Sequence, residues 1–167
     1  MVENKKNKHF AGKYFEEIEK ISESDNYFAP VLREVALLVN FKEANVLDVG
    51  CGSGLFMKPI ISAGCENCYG IDGPTEFGGF ALKRGYKEVR QVEDLCSDSI
   101  PYEDGKFDLV VCKDVFEHLL DPLHTLSEMK RVLKPNGYLL LHVPNHFPLM
   151  GRLKFLFNNN IDTFSFF

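Results

Sequence analysis

Residues 46–54 read Val-Leu-Asp-Val-Gly-Cys-Gly-Ser-Gly, a short apolar run that ends in three glycines separated by single residues. The run from Asn45 to Gly50 predicts a short buried strand. Glycine lets the backbone turn tightly and lets a ligand approach with no Cβ in the way. The first N–H groups of a helix that follows have no partner within that helix. The stretch therefore predicts a strand, a glycine loop and a helix start that together can hold a small ligand.

Strand and helix patterns alternate after the glycine loop. Four more short apolar runs predict strands, at residues 68–72, 86–92, 107–112 and 138–143. Helices are predicted between them, at about 53–63, at 74–84 and from Asp121-Pro122 onward. This alternation predicts an α/β fold, a Rossmann-like three-layer αβα sandwich with a mostly parallel sheet. Ligands of such sheets bind at the carboxyl ends of the strands.

The segment after Asp121 carries two finer predictions. An apolar stripe on its helix is formed by four residues, Leu123, Leu126, Met129 and Leu133. The sequence Lys-Pro-Asn-Gly at 134–137 is typical of a turn, and it predicts a break between this helix and the last strand.

The rest of the chain divides around this core within one domain of 167 residues. Residues 1–45 contain two helical patterns, at about 10–21 and from Ala29, and are interpreted as a helical cap. Residues 46–145 form the core, and residues 146–167 form an aromatic-rich tail with six phenylalanines. An apolar tail is not expected to end in water. Three alternatives remain: a fragment, a natural short form that pairs an open sheet edge in a homo-oligomer, or an interaction tail.

Charge and composition exclude several function classes. The chain has 24 acidic residues against 19 lysines and arginines, a formal charge of −5. This balance argues against a nucleic-acid partner, since such proteins usually carry a basic face. The polar N-terminus and the lack of a long apolar run predict a cytoplasmic protein without a membrane partner. The five cysteines are consistent with reduced thiols.

The glycine loop fits some ligand classes better than others. The dinucleotide pattern G-x-G-x-x-G needs a small residue where Leu55 stands, and no G-K-S/T follows as a phosphate-binding loop requires. Asp48 would repel a pyrophosphate but can accept a hydrogen bond, directly or through water, from a cationic amino group. Asp72 ends the second strand about 20 residues past the glycines, the place for an acid that binds ribose hydroxyls. A glycine-rich turn without a ligand remains the alternative.

Five segments in order resemble class I S-adenosylmethionine-dependent methyltransferases. V-L-D-V-G-C-G-S-G resembles their motif I, Y-G-I-D at 69–72 their motif II, and V-E-D-L at 92–95 their adenine-binding segment. F-D-L-V-V-C-K-D-V-F-E-H-L at 107–119 and R-V-L-K-P-N-G-Y-L-L-L-H-V-P-N at 131–145 resemble the motifs of the fourth and fifth strands. The likeness spans Val46 to Asn145 and is greatest to the small-molecule group that includes ubiquinone-biosynthesis O-methyltransferases.

The resemblance implies S-adenosylmethionine as cofactor and S-adenosylhomocysteine as product. Asp94 would accept from the exocyclic amine of the adenine, and the Leu95 N–H would reach the ring. The full set of implied cofactor-binding residues is Asp48, Gly50, Cys51, Gly52, Asp72, Gly73, Asp94, Leu95 and Lys113. Members of the family usually continue past the fifth strand with a helix and a β-hairpin. This chain stops soon after that strand, which predicts a sheet without the usual C-terminal strands.

The expected reaction is methyl transfer to a small-molecule acceptor, with oxygen preferred as the acceptor atom. His118 is the candidate general base, because an imidazole titrates near neutral pH. The D-x-x-E-H sequence also resembles the E-x-x-E-H of certain metal-assisted O-methyltransferases, in which Asp114, Glu117 and His118 would hold a divalent ion and His142 or His146 could add a ligand. A metal-free site is the preferred interpretation. The alternatives are a non-catalytic or truncated cofactor-binding module and a nucleotide-dependent oxidoreductase, the latter disfavoured by Leu55.

Overall fold

Five parallel strands form one sheet in the computed structural model, which describes residues 29–73 and 75–144. They are β1 (Asn45–Val49), β2 (Asn67–Asp72), β3 (Glu88–Gln91), β4 (Phe107–Lys113) and β5 (Leu133–His142). Their order across the sheet is β3-β2-β1-β4-β5. The predicted parallel α/β sheet is confirmed. The helical pattern at 10–21 and the aromatic tail at 146–167 lie outside the described residues.

Helices cover both faces of the sheet. They are α1 (Ala29–Leu38), α2 (Lys58–Ser62), α3 (Thr75–Lys83) and α4 (Pro122–Val132), with a short 3₁₀ turn at Phe116–His118. Alternate residues of β1 point to opposite faces, so Val46 packs with residues of α1, α2 and α3 while Leu47 packs with α4. The resulting three layers are those of the predicted αβα sandwich. None of the helices in the described ranges is long and apolar enough to cross a membrane.

The helix predicted at 53–63 is shorter than expected. It begins only at Lys58, and the residues before it form turns. Gly52 and Gly54 have φ values of +51° and +82°. Those backbone angles are incompatible with a right-handed helix, and they explain why the helix begins after the glycines.

The turn predicted at 134–137 is wrong. These residues lie within β5, where Phe107 pairs with Leu133 but Leu109 already pairs with Tyr138. Residues 134–137 have no pairing partner on β4, as in a β-bulge, and Asn136 there has a φ of +66°. The Lys-Pro-Asn-Gly sequence therefore bends the strand at its start without interrupting it.

The predicted stripe on α4 is only partly right. Met129 is fully buried, but Leu123 is 73% exposed. Thr125 and Val132 are buried on the core side instead. A threonine can take a core position here because its hydroxyl donates to the Leu95 carbonyl at 2.7 Å.

Strand β5 lies at one edge of the sheet within the described residues. Tyr138, Leu139 and Leu141 are each between 37% and 42% exposed on it. The five described strands agree with the expected fold class, and β5 is the last described strand on its side of the sheet.

Candidate cofactor-binding site

The glycine loop follows β1 and is tied to the neighbouring strand. The N–H groups of Gly50 and Cys51 both donate to the carbonyl of Ile71, at 2.9 and 3.1 Å. Gly50 has a φ of +72°, in the region that L-residues avoid. The Gly54 N–H donates to the Cys51 carbonyl at 2.8 Å and closes the turn. The loop is therefore held at the carboxyl end of the sheet in a backbone conformation that favours glycine.

The three glycines differ in what a side chain would meet. A Cβ on Gly50 would collide with the side chain of Val115, and a Cβ on Gly54 would lie 2.7 Å from the ring of Tyr86. A Cβ on Gly52 would have no atom of the described residues within 4 Å. Gly50 and Gly54 are thus required by packing, whereas Gly52 borders space that none of the described residues fills.

Asp72 ends β2 beside this space. Its Oδ2 accepts a hydrogen bond from the Gly52 N–H at 2.7 Å. Burial raises the pKa of the carboxyl, and the hydrogen bonds from the N–H groups of Gly52 and Gly73 act in the opposite direction. A carboxylate offers about four lone-pair positions, so these bonds do not exhaust its capacity as an acceptor. The structure brings Gly52, Asp72 and Gly73 together, as the sequence predicted.

The segment at 92–95 adjoins Asp72. The Val92 N–H donates to the Asp72 carbonyl at 3.0 Å. Asp94 is exposed, and its carboxylate accepts from the Cys96 N–H at 2.8 Å and from the Ser97 hydroxyl at 2.9 Å. The hydrogen bond from the Cys96 N–H, first among several, lowers the pKa of Asp94 and favours its charged form. Asp94 therefore follows the segment that is bonded to Asp72, and its carboxylate is held by the turn that it forms with Cys96 and Ser97.

Asp48 is more deeply buried than a surface ligand would be. Only 2% of it is exposed, and its Oδ2 accepts from the Tyr86 hydroxyl at 2.6 Å. Burial raises the pKa of Asp48 to about 7, opposed by the hydrogen bond from Tyr86. This pairing could not be predicted from local sequence, because Tyr86 lies 38 residues away in a connection between a helix and a strand.

The ends of β4 and β5 carry a second polar group. Asp114 has a φ of +55°, its N–H donates to the His142 carbonyl at 3.1 Å, and its Oδ1 lies 2.7 Å from His142 Nδ1. Its Oδ2 forms an ion pair with Lys113. The sequence suggested His142 only as an added ligand of a metal ion held by Asp114. Their direct pairing follows from the parallel β4–β5 register, which places Lys113 opposite His142.

Glu117 and His118 lie on the 3₁₀ turn after β4. The His118 side chain is 60% exposed, and its Nε2 is 4.0 Å from Glu117 Oε1. The Glu117 Oε2 is buried and has no hydrogen-bond partner among the residues that the structure describes. Asp114 turns to Lys113 and His142 instead of joining these two residues. Over residues 29–73 and 75–144, no three side chains are grouped as a metal site would require.

The parallel sheet and the glycine loop define a Rossmann-like protein, a class whose ligands bind at the carboxyl ends of the strands. Comparison with known proteins narrows this class. A family model described as a methyltransferase domain matches residues 17–164. The chain is 36% identical over 107 residues to a ubiquinone biosynthesis O-methyltransferase of Actinobacillus pleuropneumoniae, covering 60% of this chain and 45% of that protein. The chain thus spans about half the length of the curated relatives it matches.

Solved structures agree with this match. A S-adenosylmethionine-dependent methyltransferase from Aquifex aeolicus is 30% identical, with a TM-score of 0.54 over 74% of this chain and 70% of that one. A TehB-like S-adenosylmethionine-dependent methyltransferase from Corynebacterium glutamicum shares the fold, with a TM-score of 0.66 at 22% identity over 80% of this chain and 72% of that one. The chain belongs to the class I S-adenosylmethionine-dependent methyltransferase family.

Proposed function

We propose that the chain binds S-adenosylmethionine and transfers its methyl group to an oxygen atom of a small-molecule acceptor. The observation that carries the proposal is the junction of Gly52 and Asp72. The Gly52 N–H donates to the Asp72 carboxylate, and the position that a Gly52 side chain would take has no atom of the described residues within 4 Å. The ubiquinone biosynthesis O-methyltransferases among the relatives support oxygen as the acceptor atom. S-adenosylhomocysteine is the expected product.

The residues at this edge fit the parts of the cofactor. Asp72 is assigned to the ribose hydroxyls, because a carboxylate accepts hydrogen bonds from vicinal hydroxyls. Asp94 and the Leu95 N–H are assigned to the adenine. Gly73 lies beside the Val92 and Glu93 carbonyls and is assigned to the ribose and adenine side. The backbone of the loop, together with Lys113, is assigned to the amino-acid end. These assignments require no movement of the sheet, since all of the residues lie at the carboxyl ends of β1 to β4 or just beyond them.

Bound S-adenosylmethionine supplies an electrophilic methyl group on a sulfonium. The chain's own contribution is to position the acceptor in line with that methyl group and to exclude water. His118 is assigned as the general base that takes the proton from an acceptor hydroxyl. His142 lies at the same edge of the sheet and is oriented by Asp114. It is therefore the second histidine to test as the general base. No step in this proposal uses a metal ion.

A methyl-transfer assay tests the proposal. Radiolabelled S-adenosylmethionine is incubated with a panel of catechols, phenols and amines, and product is counted. We expect transfer to hydroxyl acceptors, a fall of about 10²-fold or more in kcat for His118→Ala, and S-adenosylhomocysteine affinity close to that of the unmodified chain. His142→Ala is the control. Loss confined to His142→Ala moves the base to that residue, and cofactor binding without transfer to any acceptor favours the non-catalytic module.

A further inference from the structure

Tyr86 lies directly beneath the glycine loop, in the connection between α3 and β3. It is 4% exposed, and its N–H donates to the Ala81 carbonyl at 3.2 Å. Its ring occupies the space that two glycines leave. A Cβ on Gly54 would lie 2.7 Å from its Cε2, and a Cβ on Gly70 would lie 3.2 Å from its Cδ1. The ring therefore packs against both the loop and strand β2.

The hydroxyl of Tyr86 points at the carboxyl of Asp48, two residues before the first glycine of the loop. The 2.6 Å hydrogen bond between them is buried. Two charged groups from neighbouring elements also act on Asp48: Asp72 at the end of β2 and Lys113 at the end of β4. Asp48 in turn raises the pKa values of the nearby thiols, which are those of Cys51, Cys68 and Cys112. Of these groups, only Lys113 carries a positive charge.

Two opposing effects decide whether Asp48 is charged. Burial and the nearby Asp72 carboxyl favour the neutral acid, whereas the Tyr86 hydroxyl and Lys113 favour the carboxylate. Burial has the larger effect and raises the pKa of Asp48 to about 7, so the neutral and charged forms are similarly populated near neutral pH. A single hydrogen bond is then enough to change the charge of this group near neutral pH.

We propose that Tyr86 is a positioning residue of the cofactor site, whose hydroxyl holds Asp48 as a carboxylate under the glycine loop. The negative charge favours a ligand with a cationic amino group, and the ring keeps the loop in place for that ligand. The proposal rests on the proposed function, in that it takes S-adenosylmethionine and S-adenosylhomocysteine as the ligands. Tyr86 acts through Asp48 and does not itself touch the ligand.

The test is the pH dependence of S-adenosylhomocysteine affinity, measured by calorimetric titration from pH 6 to 8.5 for the unmodified chain and for Tyr86→Phe. One hydrogen bond to a carboxylate changes its pKa by about one unit. We therefore expect the pH midpoint of binding to rise by about one unit in Tyr86→Phe. This corresponds to roughly fivefold weaker binding at pH 7 and a smaller difference at pH 8.5. The ligand is the same in both titrations, so its own amino group cancels in the comparison.

Tyr102→Phe is the matched control. Tyr102 is also a buried tyrosine, at 6% exposure, but its hydroxyl has no hydrogen-bond partner within residues 29–73 and 75–144. We expect this variant to follow the curve of the unmodified chain. A Tyr86→Phe curve that coincides with the unmodified one, or that is weakened equally at every pH, would overturn the proposal. If the unmodified chain does not bind S-adenosylhomocysteine, the proposed function itself fails. That result differs from a chain that binds but whose pH midpoint of binding is unchanged in Tyr86→Phe.

Discussion

Gly50→Ala is expected to destabilise the chain by about 3 kcal/mol. A side chain in the left-handed region costs about 1–2 kcal/mol, and forcing extra volume into a packed site costs about 1–3 kcal/mol. Gly50 meets both conditions, with a φ of +72° and the side chain of Val115 in the space that a Cβ would occupy. Urea denaturation followed by circular dichroism measures the effect.

Gly52→Ala is the matched variant in the same loop. Its φ is +51°, but a Cβ there has no atom of the described residues within 4 Å. We expect a loss of stability of only about 1 kcal/mol. Because the added methyl group lies where the ligand would approach, we also expect at least tenfold weaker S-adenosylhomocysteine binding. Equal losses of stability in the two variants would contradict the distinction between a glycine required by packing and a glycine that faces the ligand.

Asp48→Asn is expected to stabilise the chain above pH 7 and to flatten its stability profile. The pKa of Asp48 is about 7 in the folded chain, against an ordinary value of 3.8. Between pH 3.8 and pH 7, the carboxyl therefore keeps its proton in the folded state and has lost it in the unfolded state. Stability therefore falls as the pH rises from about 4 to 7, and the loss is complete above 7. At about 1.4 kcal/mol for each pKa unit, the full effect is on the order of 4 kcal/mol.

Asparagine removes this penalty while its amide oxygen can still accept from Tyr86. Denaturation at pH 5 and at pH 8 should show the gain mainly at pH 8. Glu66→Gln, at an exposed carboxyl, is the control and should change little at either pH. A similar change at both pH values would show that Asp48 is charged in the same way in the folded and unfolded chain. The stabilised Asp48→Asn variant should also bind S-adenosylhomocysteine weakly at every pH, since residues kept for function often reduce stability.

The sheet and the glycine loop could be predicted because their signals are local. A buried apolar strand, closely spaced glycines and an acid at the next strand end lie within 30 residues, and the register of parallel strands then brings Asp72 to Gly52. The bonds that tune the site were not predictable in this way. Tyr86 reaches Asp48, and Asp114 reaches His142, only through the packing of elements that are distant in sequence.

Two finer predictions were wrong for related reasons. The spacing of apolar residues placed Leu123 on the buried face of α4, but Thr125 is buried there instead, with its hydroxyl donating to the Leu95 carbonyl. The Lys-Pro-Asn-Gly sequence has the composition of a turn, yet pairing with β4 resumes on its far side and keeps it within one strand. Local composition gives the preference of a segment, and the neighbouring strand decides whether the preference is followed.

The most direct test of the account is a calorimetric titration of the chain with S-adenosylhomocysteine and, separately, with NAD. The account predicts binding of S-adenosylhomocysteine, at least tenfold weaker binding in Asp72→Ala, and no binding of NAD. Asp72→Asn, which keeps an oxygen acceptor for the Gly52 N–H, should lie between the two. Binding of NAD alone, or binding of S-adenosylhomocysteine that Asp72→Ala leaves unchanged, would contradict the assignment of the site at the carboxyl ends of β1 and β2.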